Sequence, residues 1–184
     1  MSLVLPNEDA ESVHYYAPRA LHVPAGTGVT KWVSGDVYEV KATAESTNGS
    51  LGFIDARVPP GNGPVAHVHN SNDESFYIVS GALEILNGDQ TFVAEPGAFV
   101  FVPRGTRHRF RNIGGEETHL VFLFAPGGPE TQFVQLGDDP VPGEQPQFWP
   151  PERFAPFLPV LEQDRKSTRL NSSHDVISRM PSSA

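Results

Sequence analysis

The stretch Gly61-Asn-Gly-Pro-Val-Ala-His67-Val-His69-Asn-Ser-Asn-Asp-Glu74-Ser-Phe-Tyr-Ile-Val-Ser-Gly81 decides how this chain folds. His67 and His69 stand one residue apart, and in a strand residues i and i+2 point to one face. Both imidazoles can then converge on one point about 2 Å from each nitrogen. Glu74 follows across Asn-Ser-Asn-Asp, a polar segment that reads as a turn. A reversal there brings Glu74, at the start of the next strand, back beside the histidines. A second stretch, Gly97-Ala-Phe-Val-Phe-Val-Pro103-Arg-Gly105-Thr-Arg-His108-Arg-Phe-Arg-Asn112, supplies a fourth candidate, His108. Three imidazoles and one carboxylate suit a borderline or hard divalent ion with exchangeable positions. A His-x-His pair alone is more often incidental, so the frame around it carries the inference.

Outward from these stretches, residues 29–126 read as short β-favouring runs parted by turn signals. The runs are 29–33, 36–44, 50–58, 75–79, 82–86, 90–94, 98–102, 107–112 and 119–125. Such spacing points to an all-β antiparallel sandwich or barrel. Asn87-Gly88-Asp89 is the clearest hairpin turn, and Gly81, Gly97 and Gly105 sit where strands reverse. Glu116 and Glu117 read as part of an exposed hairpin. If His108 faces the metal, Phe110 and Asn112 face inward with it, and Arg107, Arg109 and Arg111 face out to solvent or to acidic neighbours. Parity likewise turns Phe76 and Ile78 inward with Glu74. In 119–125 either Leu120, Phe122 and Phe124 or His119, Val121 and Leu123 face in, and the first set is favoured. Phe76, Ile78, Phe110, Phe122 and Phe124 then line an apolar pocket suited to a flat aromatic substrate, or they simply fill the interior.

The chain has 184 residues, 38% of them apolar, with 17 Gly, 18 Pro and no Cys. That length suits one domain, and the lack of Cys excludes a disulfide scaffold, a zinc ribbon and a thiol nucleophile. Residues 1–164 carry nine basic and 21 acidic groups, whereas 165–184 carry four basic and one acidic. An acidic body disfavours nucleic acid. No basic n-region with an apolar h-region opens the chain, and no apolar run nears the ~20 residues of a membrane span, so a cytoplasmic protein with no membrane partner is expected. The expected division is an irregular N-terminal arm (1–28), a barrel (29–128), a Pro- and aromatic-rich C-terminal arm (129–164) with a short helix from about Pro151, and a disordered tail (165–184). The tail, basic and Ser-rich without a periodic apolar face, resembles a translated adapter sequence and is expected to be non-native, which would leave the native C-terminus missing.

The pattern Gly61-x5-His67-x-His69-x4-Glu74-x6-Gly81, then Gly97-x5-Pro103-x-Gly105-x2-His108-x3-Asn112, resembles the two signature motifs of the cupin superfamily at every defining position. Fifteen residues separate Gly81 from Gly97, as in the short inter-motif loop of bacterial cupins. The resemblance implies a jelly-roll barrel, or double-stranded β-helix, with one divalent metal (Mn, Fe, Ni, Co or Cu) held by His67, His69, Glu74 and His108. It also implies homodimers as a common assembly. Val58-Pro-Pro-Gly-Asn-Gly-Pro, Asp73-Glu-Ser-Phe-Tyr-Ile and the Pro126-Gly-Gly exit look like bacterial single-domain cupins similar to quercetin 2,3-dioxygenases. This implies an oxygenase that opens a flavonol or similar enol-bearing aromatic with O2, releasing carbon monoxide, in which Glu74 is both ligand and catalytic base. Two alternatives stand beside it: a non-catalytic cupin binding a metal or small ligand, and a metal-dependent sugar isomerase or epimerase. Removing residues 165–184 is expected to leave the melting temperature unchanged within error; a clear fall would assign the tail to the fold.

Overall fold

The alternation of apolar and polar residues is realised as nine strands among the described residues. They are β1 (Val29–Val33), β2 (Asp36–Ala42), β3 (Gly52–Val58), β4 (Asp73–Ser80), β5 (Leu83–Asn87), β6 (Gln90–Ala94), β7 (Phe99–Val102), β8 (His108–Asn112) and β9 (Thr118–Ala125), and one helix follows, α1 (Glu130–Leu136). The structure, a computed structural model, describes residues 20–150 and 152–154. A six-stranded sheet has the order β1-β2-β3-β9-β4-β7 and a three-stranded sheet the order β6-β5-β8. Every pairing is antiparallel. The result is the all-β jelly-roll arrangement that the resemblance implies.

Parity sets what lies between the sheets. Leu120, Phe122 and Phe124 are buried, alternating with the half-buried His119, Val121 and Leu123, so the favoured set faces in. Phe76 and Ile78 of β4 meet Leu83 and Ile85 of β5 and Phe110 of β8 in one apolar cluster. Arg107 and Arg111 face out as expected, and Arg109 reaches Glu84 at 2.7 Å.

One expectation changes: residues 113–117 are exposed, but β8 and β9 belong to different sheets, so this segment passes between sheets and is not a hairpin. Helix α1 at Glu130–Leu136 is an element the sequence reading did not place; of the helix expected from about Pro151, residues 152–154 form a 3-10 turn, and 151 and 155–184 lie outside the described residues. Helix α1 begins after Pro129, carries an acid in its first turn and stops at Gly137, start and stop signals that were present in the sequence. Its anchor was not legible there. The buried Glu130 carboxylate accepts hydrogen bonds from the Gly128 and Ala44 amides, the latter 86 residues away.

The loop between β3 and β4 lies along the outer edge of β8. Gly61 N donates to Asn112 O and Asn112 N to Asn62 O; farther along, His67 and His108 exchange both backbone hydrogen bonds. Gly63 lies where this loop comes closest. Its φ is +149°, and a Cβ there would sit 2.2 Å from Phe110 O. Asn62 also donates to Asp36, whose carboxylate accepts from the Tyr38 hydroxyl at 2.8 Å. Burial raises the Asp36 carboxyl to about 7, only partly opposed by the hydrogen bonds from Tyr38 and Asn62.

Two outcomes follow. Gly63→Ala should cost about 2 kcal/mol or more, from backbone strain plus the clash with Phe110, whereas Gly61→Ala, with open space around it, should cost about 1 kcal/mol from strain alone. Equal shifts in denaturant midpoint would contradict the close approach. Because the folded Asp36 binds its proton more tightly than the unfolded one, the fold should lose up to about 4 kcal/mol as pH rises from about 4 to about 7. Asp36→Asn should flatten that part of the profile in urea melts at stepped pH, and an unaltered slope would show that Asp36 does not produce it.

Candidate metal centre

Both sheets and one loop contribute to the site. Glu74 is the second residue of β4 in the large sheet, and His108 is the first of β8 in the small one. His67 and His69 belong to an extended loop, with a single bridge from His67 to His108, and not to a regular strand as expected. The i, i+2 relation survives because the chain stays extended: the His67 and His69 rings lie 4.8 Å apart between centroids, and Val68 between them in sequence is buried. Gly105 N donates to His69 O at 2.8 Å. Arg104 grips Asp73 through its backbone amide, Nε and a terminal guanidinium nitrogen, which ties the His108 turn to the residue before Glu74.

The donor atoms of His67, His69, Glu74 and His108 all lie within 4.8 Å of one another. His108 Nε2 is 2.6 Å from Glu74 Oε2, His69 Nε2 is 3.5 Å from the same oxygen, and His67 Nε2 is 3.2 Å from His69 Nε2. His67 Nδ1 lies 2.8 Å from Val65 O and His108 Nδ1 2.8 Å from Thr106 O. A carbonyl only accepts, so both Nδ1 atoms carry protons and both Nε2 lone pairs face the centre. Such second contacts to carbonyls are the usual means of orienting an imidazole toward a metal. Burial, with help from His108 and His69 and against the pull of Glu74, lowers His67 to about 4, so it is neutral at pH 7. Burial alone would raise Glu74, but hydrogen bonds and charge from His108 and His69 outweigh it and hold the carboxyl at about 2.

Lone pairs and a carboxylate thus meet at one point. A proton on His108 would satisfy its contact with Glu74, but only a cation satisfies all four groups together. The donor set, three imidazole nitrogens and one carboxylate oxygen gathered within 4.8 Å, fits a first-row divalent ion by the chemistry of its ligands.

Beneath the ligands lie the five apolar residues named from parity. Phe124 meets His69 edge-on at 5.3 Å between ring centroids, and Phe76 lies 6.5 Å from His108. Phe76 packs on Phe110, Phe110 on Phe122, and Phe122 on Phe124. Ile78 is fully buried farther along β4. The rings form a continuous floor. Sequence reasoning missed the wall beside it: Phe133 of α1 stacks against Phe124 at 6.5 Å and meets Tyr38 at 5.0 Å. The alternating apolar pattern of strands offered no signal for a wall supplied by a helix.

Comparison with known proteins agrees with this geometry. The cupin-domain family model matches residues 55–124, which include all four candidate ligands. The tetracenomycin polyketide synthase protein TcmJ of Streptomyces glaucescens is 32% identical over 108 residues, covering 58% of this chain and 69% of that protein. Quercetin 2,3-dioxygenase of Bacillus subtilis is 28% identical over 114 residues, covering 62% of this chain but 34% of that protein. Among solved structures, an RmlC-like cupin from Shewanella frigidimarina superposes with a TM-score of 0.53 at 16% identity, covering 61% of this chain and 96% of the other, a likeness of fold alone. With both motifs meeting at one His3Glu cluster inside a jelly roll, the chain belongs to the cupin superfamily.

Proposed function

We propose that this cupin is a metal-dependent oxygenase, similar to quercetin 2,3-dioxygenase, that acts in the cytoplasm on an enol-bearing aromatic. The observation that carries the reading is a single carboxylate, Glu74, set among three imidazoles above a floor of aromatic rings. The names of two relatives meet on one chemistry. Quercetin bears an enolic hydroxyl beside a ring carbonyl, and polyketides carry enolisable carbonyls, so either class presents an acidic O–H on a largely apolar frame.

His67, His69, His108 and Glu74 would hold one divalent transition metal: Mn, Fe, Ni, Co or Cu. When bound, such an ion supplies Lewis acidity toward the substrate's oxygen atoms and, for a redox-active metal, a route for O2 chemistry. The side chains do the rest. Glu74 is the acid of the cluster, so in this reading its carboxylate is the acceptor for the enol proton. Phe124 and Phe76, packed against His69 and His108, put apolar material directly behind the ligands, and Phe110, Phe122 and Ile78 fill the core behind them. His67 and His69, half-buried while Glu74 and His108 are buried, mark the side from which the substrate arrives.

The polar groups elsewhere in the interior disfavour a sugar isomerase. Asn112 is occupied by Val58 O, Glu116 O and Gly114 N, and Asp36 by Tyr38 and Asn62, leaving them engaged as braces.

The test is purification without oxygen, reconstitution with each of the five metals, and oxygen-electrode assay against flavonols and polycyclic enols. Oxygen uptake should require metal. Glu74→Gln should cut kcat/KM by about 100-fold or more, and His108→Ala should lose the metal by elemental analysis. Tight flavonol binding without uptake under any metal would make the protein a binding cupin instead.

A further inference from the structure

The loop that carries His67 and His69 is fastened to β8 at two places. Near its start Gly61, at φ +79°, and Asn62 stand together opposite Asn112: Gly61 N donates to Asn112 O at 2.9 Å and Asn112 N to Asn62 O at 2.8 Å, a glycine bulge. Farther on, His67 and His108 exchange both backbone hydrogen bonds. From Asn62 to His67 the loop advances five residues while β8, from Asn112 to His108, advances four. The extra residue falls in 63–66, which makes no backbone hydrogen bond to β8 among the described residues. No continuous ladder therefore carries the register from one fastening to the other. A slip of one residue would bring Ala66 or Val68 to the centre in place of His67.

The Asn62 side chain supplies a third fixed point, and it lies on the other sheet. Its Nδ2 donates one hydrogen to Ser34 O at 2.9 Å and the other to Asp36 Oδ1 at 2.6 Å. Ser34 (φ +50°) and Gly35 (φ +93°) form the two-residue turn between β1 and β2, closed by the pairing of Val33 with Asp36. This turn is itself braced, by the Tyr38 hydroxyl on Asp36 Oδ2 at 2.8 Å and by Trp149 N on Ser34 Oγ at 3.2 Å. Two acceptors facing one short side chain call for two donors on one atom and no negative charge. An amide meets that demand, and a carboxylate or a hydroxyl does not.

We propose that Asn62 is a positioning residue for the metal centre: by tying the ligand loop to the turn between β1 and β2, it fixes the register in which His67 meets His108 and so sets the affinity for the divalent ion. The inference rests on the reading of His67, His69, Glu74 and His108 as a metal site, and on no particular reaction there. Asn62 stands five residues before His67 and acts through the backbone between them. The downstream end of the loop has its own holds, Gly105 N on His69 O and Arg104 on Asp73. Loss of Asn62 therefore loosens the entry side of the site and leaves the exit side in place.

Cobalt(II) is the probe, since its visible absorption reports both occupancy and ligand geometry. The full chain, stripped of metal by chelation, is titrated with Co(II) at one fixed pH and at a temperature where circular dichroism shows every variant folded. Asn62→Ala should raise the Co(II) dissociation constant about 10-fold to 100-fold, the range for groups that orient ligands from behind. Asn62→Asp, which sets two carboxylates against each other, should raise it at least as far. Asp36→Asn/Asn62→Asp should recover part of that loss, because the amide and the carboxylate then exchange places. In the metal-free chain the His67 and His108 amides should exchange hydrogen about 10-fold faster in Asn62→Ala, with those of β3 and β9 unchanged. Should Asn62→Ala fail to fold, Asn62→Ser carries the same two measurements. Unaltered Co(II) affinity in the folded variant would overturn the proposal, whatever the change in melting temperature, and leave Asn62 a structural contact only. A wild-type chain that takes up no Co(II) would overturn the metal reading, and this role with it.

Discussion

Between His67 and His108 the backbone makes two hydrogen bonds, N to O at 2.9 Å and 2.8 Å. This reciprocal pair holds an irregular loop in strand register against β8, and the two imidazole rings come to 4.5 Å between centroids. A slip of one residue would turn Ala66 or Val68 toward the centre and both histidines away. His69 then falls into place by parity, and Gly105 N grips its carbonyl. Glu74 must arrive from the opposite sheet. The clasp of Arg104 on Asp73 joins the two sides there, so the centre depends on a few backbone contacts between segments some 30–40 residues apart.

The interior around this centre tolerates few polar groups, and those present are tied. Glu130 caps the approach of α1 while Gly52 leaves room for it: a Cβ at Gly52 would lie 2.2 Å from the Glu130 carboxylate. Asn112 braces the end of β8, and the set of Asp36, Tyr38 and Asn62 braces the loop that leads to His67. Each would be costly to bury alone, which is why each has its partners. Around them the Phe rings pack edge to face, an arrangement their quadrupoles favour, and they surround the Glu74 contacts with low-dielectric material.

Much of this was legible along the chain. Strict two-residue alternation in 118–125 and 73–80 announced strands and their inward faces, because one face of each must leave water. The spacing of His67, His69, Glu74 and His108 announced residues that share a purpose. Less visible were features whose partners are remote. Glu130 meets Ala44, Arg104 meets Asp73, and Phe133 closes a wall against Phe124 and Tyr38. The segment 113–117 looked like a hairpin because turn residues signal a reversal without saying which sheet receives the chain.

Local pattern along the chain sets the nine strands of the described residues, the side each residue shows and the residue types available to a cation, since all three are local properties of a pleated chain. Only the tertiary structure decided that four donors meet within 4.8 Å and that a helix walls the aromatic floor. Those outcomes depend on which strands become neighbours. Strand order is fixed by long-range packing of the two sheets, and no local pattern encodes it.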